Sequence, residues 1–421
     1  MGDKKINILF VPSDREGVGH FRTIWPAKNF YKNYSDEFNV KIDASPNFED
    51  MSELEKFDII HFHRQIGPLE EQPRVLTHLR SKGVKLIMDI DDYWSPPPTH
   101  NLYSLIKSEG IDKKIEEVFK YVDMVTTTTE IFKKEILKYH KNVEVVPNAL
   151  NLNEAMWKNE SAENKSGKIR IGWAGGSSHL HDLDLLRESM IKLANSQFKD
   201  KVQIVMCGFD VRGTNTIIGP NGEKTTVPIQ KHETLWLEFE KIFTGNYSLI
   251  NQDQEYVKWL KKIVNEEYPQ QSEKSYLRRW TLPLTRYGEH YDYFDVCIVP
   301  LAETYRDVSE KGQVTYKENI FNKVKSELKI IESGFKKKVL IAQKTGIYEE
   351  LLTDGENAIL VDDNKKGWYK AIGNVASDPE LREKLSTNLH KFVTERYTIE
   401  KVNEKRKEIY QKIMQPVLLE A

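Results

Sequence analysis

Short, β-branched apolar runs recur along this chain, separated by stretches with helical spacing or by glycine-containing loops. In the first half they fall at residues 6–11, around 40–42, and at 57–63, 84–90, 121–129 and 143–150. In the second half they fall at 169–174, 202–208, 294–300 and 338–342. None approaches the roughly 20 apolar residues that a membrane-spanning helix needs. Runs of this length and composition read as parallel strands buried on both faces. Strand alternating with helix predicts an α/β fold of doubly wound parallel sheets. A chain of 421 residues suits two such domains better than one. Residues 159–168 are polar, carry Ser and Gly and lack periodicity, so they read as the linker. The expected division is a Rossmann-like domain over 1–160 and a second over 168–397 with an insertion at about 209–293. A charged helix in 398–421 follows.

Charge and cysteine content narrow the function classes. The 62 basic and 64 acidic residues leave a net charge of −2, which gives no general case for nucleic acid or an anionic membrane as partner. Cys207 and Cys297 each lie inside an apolar run, so a reducing compartment fits better than a disulfide framework. The first apolar run, 6–11, is too short for a signal peptide. The reading is a soluble, cytoplasmic protein whose membrane association, if any, is peripheral.

Several strand ends carry polar groups where open α/β sheets bind ligands. After the first run come Gly17 and Gly19, which allow a tight turn and close backbone approach to a ligand. A dinucleotide site would want a third glycine where Arg22 stands, although Asp43 lies where a ribose-binding acid would be, so a nicotinamide site stays a weak alternative. The third run ends in His61 and His63, either packing histidines or, for His63, a site residue. The fourth runs into Asp89, Asp91 and Asp92 before a Pro96-Pro97-Pro98 loop. Asp89 with Asp91 could hold a divalent metal on a diphosphate; Asp91 or Asp92 could instead contact a substrate hydroxyl, the preferred reading. Thr129 is placed to cap a helix from Glu130. In the second half, Gly175-Gly176-Ser177-Ser178 follows a strand and precedes a helix, where backbone amides can cradle phosphate. The segment 209–293 holds Gly219-Pro220-Asn221-Gly222, read as a hairpin turn, and Trp236, Phe239, Trp259, Tyr276, Trp280 and Tyr287. Those aromatics form a local core or grip an extended acceptor beside Arg278 and Arg279.

The most informative stretch is 294–361. Its first strand is followed by a polar, irregular segment to Phe321 and then by a predicted helix from Asn322 to about Gly334. Val324, Leu328 and Ile331 recur at helical spacing, Asn322 can cap the start, and Gly334 suits the position after the end. On such a helix Lys325 and Glu332, seven residues apart, share a face about 10 Å apart in rise. A cation in the first turn and a carboxylate two turns on suit a nucleotide diphosphate with its ribose. A solvated charged face is the other reading.

The order of strand, Pro300-Leu301, Phe321-Asn322, Lys325-Ser326, Leu328-Lys329, Glu332, strand, Gly346, Tyr348, Asp354-Gly355, Asn357 and Leu360-Val361 resembles the donor half of family-four glycosyltransferases of the GT-B type. The resemblance implies two facing Rossmann-like doubly wound domains: an acceptor side first, a nucleotide-sugar donor side second, and a last helix returning to the first domain. It implies that Lys325 contacts the donor diphosphate and Glu332 the nucleotide ribose. Many members carry another glutamate where this chain has Val324, and a basic pair where it has His179 and His181. The glycine loop of such proteins closes over donor phosphate and acceptor, which makes His20 and Arg22 cleft residues. The candidate catalytic residues are then Lys325, Asp91 and His20. The candidate donor-binding residues are Gly17, Gly19, Gly175, Gly176, Ser177, Lys325, Ser326, Glu332 and Gly346. The implied activity, in carbohydrate biosynthesis, moves a sugar from a nucleotide-diphosphate sugar, UDP- or GDP-linked, to an acceptor hydroxyl with retention of configuration. No further cofactor is implied, and Mg2+ is possible but not expected. An epimerase or phosphorylase of the same architecture, or a non-catalytic glycan- or partner-binding subunit, are the alternatives. The acceptor and the oligomeric state are not legible.

Overall fold

The computed structural model describes residues 4–415 except 16, 159, 212–213, 219–223, 229–233, 263–265, 310–311 and 363–365. The chain divides into two compact units. One comprises residues 1–154, 303–331 and 393–421, and the other 155–302 and 332–392.

The first unit is built on six strands: β1 (Ile6–Val11), β2 (Phe38–Ile42), β3 (Ile59–His63), β4 (Lys85–Ile90), β5 (Met124–Thr127) and β6 (Val143–Val145). They pair in the order β2-β1-β3-β4-β5-β6, every ladder parallel. Alternation of side chains explains why both faces are covered: Leu9 and Val11 enter one core, Ile8 and Phe10 the other. Thr129 caps its helix as expected, its hydroxyl accepting from the Phe132 N–H at 3.1 Å. The order reverses between β1 and β3, and the ends of those strands are where such a sheet leaves a crevice.

The second unit has its own sheet: β7 (Ile169–Ala174), β8 (Val202–Phe209), β9 (Tyr276–Trp280), β10 (Val296–Val299), β11 (Val339–Gln343) and β12 (Ile359–Val361). The order is β9-β8-β7-β10-β11-β12, again parallel, with the reversal between β7 and β10.

Four expectations change. Residues 209–293 are not simply an insertion, because β9 is the edge strand of the sheet and the helices Trp236–Phe243 and Gln254–Lys262 lie on the connection leading to it. Its aromatics other than Tyr287 are core: Trp236, Phe239 and Tyr276 are buried, with Trp259 and Trp280 packed against them. Arg278 does not reach toward an acceptor. It is buried, forks onto Glu240 with two bonds of 2.6 Å, and lies over the rings of Phe209 and Trp259. Second, the polar segment before Phe321 is regular: Thr304–Val308 and Val314–Glu318 form an antiparallel hairpin. Third, residues 303–331, expected in the second domain, group with the first unit, where Val324 is fully buried in the core.

The fourth concerns the predicted helix from Asn322. It is two helices, Ile320–Lys323 and Leu328–Phe335. Asn319 caps the first, and the chain leaves helical geometry at 324–327. The second runs through Gly334, and Lys337 (φ 50°) supplies the left-handed turn beyond it. Lys338 N–H bonds Ser333 O and Lys337 N–H bonds Gly334 O, the pairing of a Schellman termination. The turn proposed at Gly219–Gly222 lies outside the described residues; the strands flanking it, Thr214–Ile218 and Lys224–Pro228, are paired antiparallel. Among the described residues no helix is long and apolar enough to cross a membrane.

Candidate active site

In the first unit the ends of β1, β3 and β4 converge on one polar network. Register sets it up, since His63 pairs with Asp89 across the β3–β4 ladder and the next residues emerge together. His63 Nε2 meets Asp91 Oδ1 at 2.8 Å, and its Nδ1 meets Ser13 Oγ at 2.7 Å. Arg64 donates to the same Asp91 oxygen at 2.9 Å, holding a left-handed backbone (φ 60°) to do so. Burial alone would raise the Asp91 carboxyl, but the Arg64 charge and the hydrogen bond with His63 outweigh it and hold it well below the usual range. Asp92 points to Lys325: Nζ lies 2.9 Å from Oδ1 and 4.0 Å from the centre of the Phe321 ring. Lys325 is half-buried, as is Ser326.

Behind this surface lies a fully buried layer. Arg22, in the turn after Gly19, forks onto Asp89 at 2.6 and 2.9 Å and donates to Asn148 Oδ1 at 3.3 Å. Thr126 adds a bond to Asp89 at 2.7 Å. Burial opposes ionisation of Asp89, yet Arg22 overrides it and holds the carboxyl at about 2. Two expectations are corrected here. Asp89 is committed to Arg22 and Thr126, not presented with Asp91 for a cation, and Arg22 is 1% exposed, not a cleft residue. The Asn148 N–H in turn donates to Glu327, which is 1% exposed. Gly19 is fixed sterically, because a Cβ there would sit 2.0 Å from the Asp14 carbonyl oxygen. Its N–H bonds Asp14 Oδ1, whose carboxylate also accepts from Ser13. Gly17 opens the same turn, and His20 packs edge-on against Trp25. His61 is buried and bonds Tyr410 Oη at 2.6 Å, which makes it a packing histidine. Asp43, just beyond β2, caps a local turn at Ser45.

In the second unit Gly175, Gly176 and Ser177 follow β7 at the reversal of the sheet. Gly208 (φ 100°) lets β8 pass close by, for a Cβ there would lie 2.4 Å from Gly175 O. A one-turn 3-10 segment and a four-residue helix follow, not one continuous helix. Asp182 joins this loop to the end of β10: it accepts from Ala302 N–H at 2.8 Å and meets His179 Nδ1 at 2.9 Å. Gly346 (φ 51°) starts the helix after β11. Glu332 is fully buried and accepts from Tyr291 Oη at 2.5 Å, with Tyr287 Oη at 3.5 Å.

The structure thus brings Asp91, Asp92, Lys325 and the glycine turn into one unit, and Gly175, Gly176, Ser177, Gly346 and Glu332 into the other. The shared-face argument for Lys325 and Glu332 does not hold, because the helix begins three residues after Lys325. Sequence reasoning missed Arg64, whose position just after the β3 run was the available signal. It also missed Glu327, and Tyr291 as partner of Glu332, for which there was none.

Two parallel Rossmann-like sheets, each with polar groups at its reversal point, define the fold of the GT-B glycosyltransferases. Solved structures bear this out over nearly the full chain. HepE of Anabaena, determined with UDP and glucose, matches at a TM-score of 0.57 and 11% identity, covering 96% of this chain and 99% of its own. Sucrose-phosphate synthase of Thermosynechococcus elongatus matches at 0.57 and 12%, covering 97% and 99%. A glycosyltransferase from Rickettsia africae matches at 0.57 and 14%, covering 98% and 99%. No protein-family model matches the sequence, and no curated protein does.

Proposed function

We propose that the chain is a glycosyltransferase that moves a sugar from a nucleotide-diphosphate sugar to an acceptor hydroxyl, with retention of configuration. The observation that carries the reading is Lys325, a half-buried cation held against Asp92 just beyond the end of β4, in a GT-B fold. In the proposed reaction the bond from the sugar carbon to the diphosphate oxygen breaks. The acceptor oxygen bonds to that carbon on the same face, and its proton passes to the departing diphosphate. The diphosphate leaves as an oxyanion, and Lys325 would exchange Asp92 for it as charge develops there. Asp91, fixed as a carboxylate by Arg64 and His63, is suited to accept a hydrogen bond from a substrate hydroxyl. His20 is retained as a cleft residue. Gly17, Gly19, Gly175, Gly176, Ser177, Ser326 and Gly346 supply backbone or hydroxyl contacts to the donor. Glu332 is assigned to the ribose, and Tyr287 is the half-buried group that would turn aside to admit it. The donor is taken as UDP- or GDP-linked, and the UDP complex of HepE supports a nucleotide-sugar donor in general.

A second reading, donor binding without transfer, draws on Val324, which is sealed in the core where a sugar-contacting carboxylate would be needed. One experiment separates them. The wild type and Lys325→Ala are titrated with UDP-, GDP-, ADP- and TDP-glucose, with and without Mg2+, by thermal shift and by release of free nucleotide in the presence of acceptors. The transferase reading expects a selective shift and turnover, with kcat/KM in the variant reduced about 10²- to 10³-fold at an unchanged Tm. A shift without turnover favours the binding reading. Full turnover in a folded Lys325→Ala removes the lysine from the site.

A further inference from the structure

Beside the Asp92–Lys325 pair lies a cavity of about 310 Å³, between the proline loop after β4, the helix Tyr103–Ser108 and the hairpin 304–318. Four aromatic rings line it: Tyr93, Tyr103, Tyr305 and Phe321. We propose that this cavity is the acceptor subsite and that it takes one ring of a neutral carbohydrate. The proposal deepens the transferase reading and rests on it.

Three observations point to that ligand class. First, the walls join flat aromatic faces to a few polar groups, which suits a sugar ring, apolar on its C–H face and hydroxylated at its rim. The hairpin is built to present such a wall: Tyr305 and Asp307 alternate with exposed residues and so share one face, while Lys317 sits opposite Tyr305 in register. Second, the charges are already balanced. Among the lining groups Lys317 pairs with Asp307, Lys107 with Asp112, and Glu318 with Lys323. No net charge is left to attract a phosphate or a carboxylate, whereas paired ions can still exchange hydrogen bonds with hydroxyls. Third, the cavity adjoins the proposed chemistry. Phe321, one of its walls, carries Lys325 Nζ over its ring at 4.0 Å, and Tyr93 directly follows Asp92. A ring lodged there lies next to the group assigned to the leaving diphosphate. At about 310 Å³ the space is at the small end of ligand pockets, which run from about 300 to 1,000 Å³. It suits one ring, with the rest of an oligosaccharide lying outside.

The test is saturation-transfer NMR on the full chain without donor. The probes are glucose, galactose, mannose, N-acetylglucosamine and their β-1,4 disaccharides. The expected result is saturation of the ring C–H protons of at least one probe. Tyr305→Ala and Tyr103→Ala, on different elements and checked for unchanged Tm, should each weaken its apparent affinity about three- to ten-fold, the equivalent of one aromatic contact. Both should leave the thermal shift with nucleotide sugar unchanged. Absence of saturation with every probe overturns the proposal, as does a signal that both variants leave intact. Sugar binding that responds to the variants in a protein with no turnover supports the subsite and counts against the transferase reading. Turnover with sugar binding indifferent to both variants does the reverse.

Discussion

Glu327 accepts the Asn148 N–H through one oxygen and is almost completely buried, and its other oxygen has no hydrogen-bond partner among the described residues. Burial is the main force on it. Arg22 and the Asn148 N–H pull the other way, the nearby Asp91 charge adds to the rise, and the carboxyl ends at about 7. Its unfolded value is near 4.3, so between those limits the folded state holds the extra proton. Stability from this group is therefore fully present below about pH 4 and is lost as pH rises through 7, a swing of roughly 4 kcal/mol. Asp89 has the opposite sign. Held at about 2, it contributes above the unfolded value near 3.9 and loses that contribution only in strong acid, so the two windows do not overlap. Urea unfolding of wild type and Glu327→Gln between pH 5 and 8 isolates the effect. The variant is expected to gain on the wild type as pH rises, by up to about 3 kcal/mol at pH 8. A difference that stays constant with pH would mean that Glu327 is solvated, against its position in this core. No sequence signal marked this residue, because its burial depends on Asn148, 179 positions away.

At the scale of elements, the buried apolar strands were legible, whereas the edge strand β9, the hairpin 304–318 and the ends of helices were not. The apolar runs became strands because a buried parallel strand needs only a local apolar stretch. The helix predicted from Asn322 failed because the spacing of Val324, Leu328 and Ile331 fits a helix equally well when Val324 enters the core from a loop. Tertiary packing there overrode the local pattern. Gly334 misled for a related reason: the termination falls at Lys337, a residue that pays the steric cost of φ 50° that a glycine would avoid. Lys337→Gly should raise stability by about 1 kcal/mol, roughly 2 °C in Tm, since the Glu383 pair it gives up is exposed. Arg278 gives a larger effect of opposite sign. Its fork onto Glu240 is sealed between rings, and Tyr276 Oη also donates to that carboxylate. Arg278→Ala leaves the carboxylate buried without its cation and should cost about 3–5 kcal/mol in chemical denaturation. A loss below about 1 kcal/mol would place the pair in water.

For the whole molecule, topology was read more completely than the division of the chain. Two doubly wound sheets follow from strand count and alternation, and the loops Gly17 to His20 and Gly175 to Ser177 follow the strands at the two reversal points. The resemblance implied that the last helix returns to the first unit; nothing in the sequence revealed that residues 303–331 join it as well. The C-terminal segment is integral to it: Ile399, Val402, Ile409 and Tyr410 share a core with Ile8, Phe10 and Phe30, and Asn403 donates to Pro26 O. Burial of four such side chains is worth roughly 6–12 kcal/mol, comparable with the whole stability of a domain. A chain ending at residue 397 should therefore lose the fold of the first unit. The second unit draws none of its core from that segment and should keep its own. Hydrogen exchange reads the two separately: amides of β1, β3 and β4 should exchange rapidly in the truncated chain, while those of β7, β8, β10 and β11 stay protected. Continued protection of β1 and β3 would show that the last helix only decorates the first unit, and loss of protection in β7 and β8 would show that the two units unfold as one.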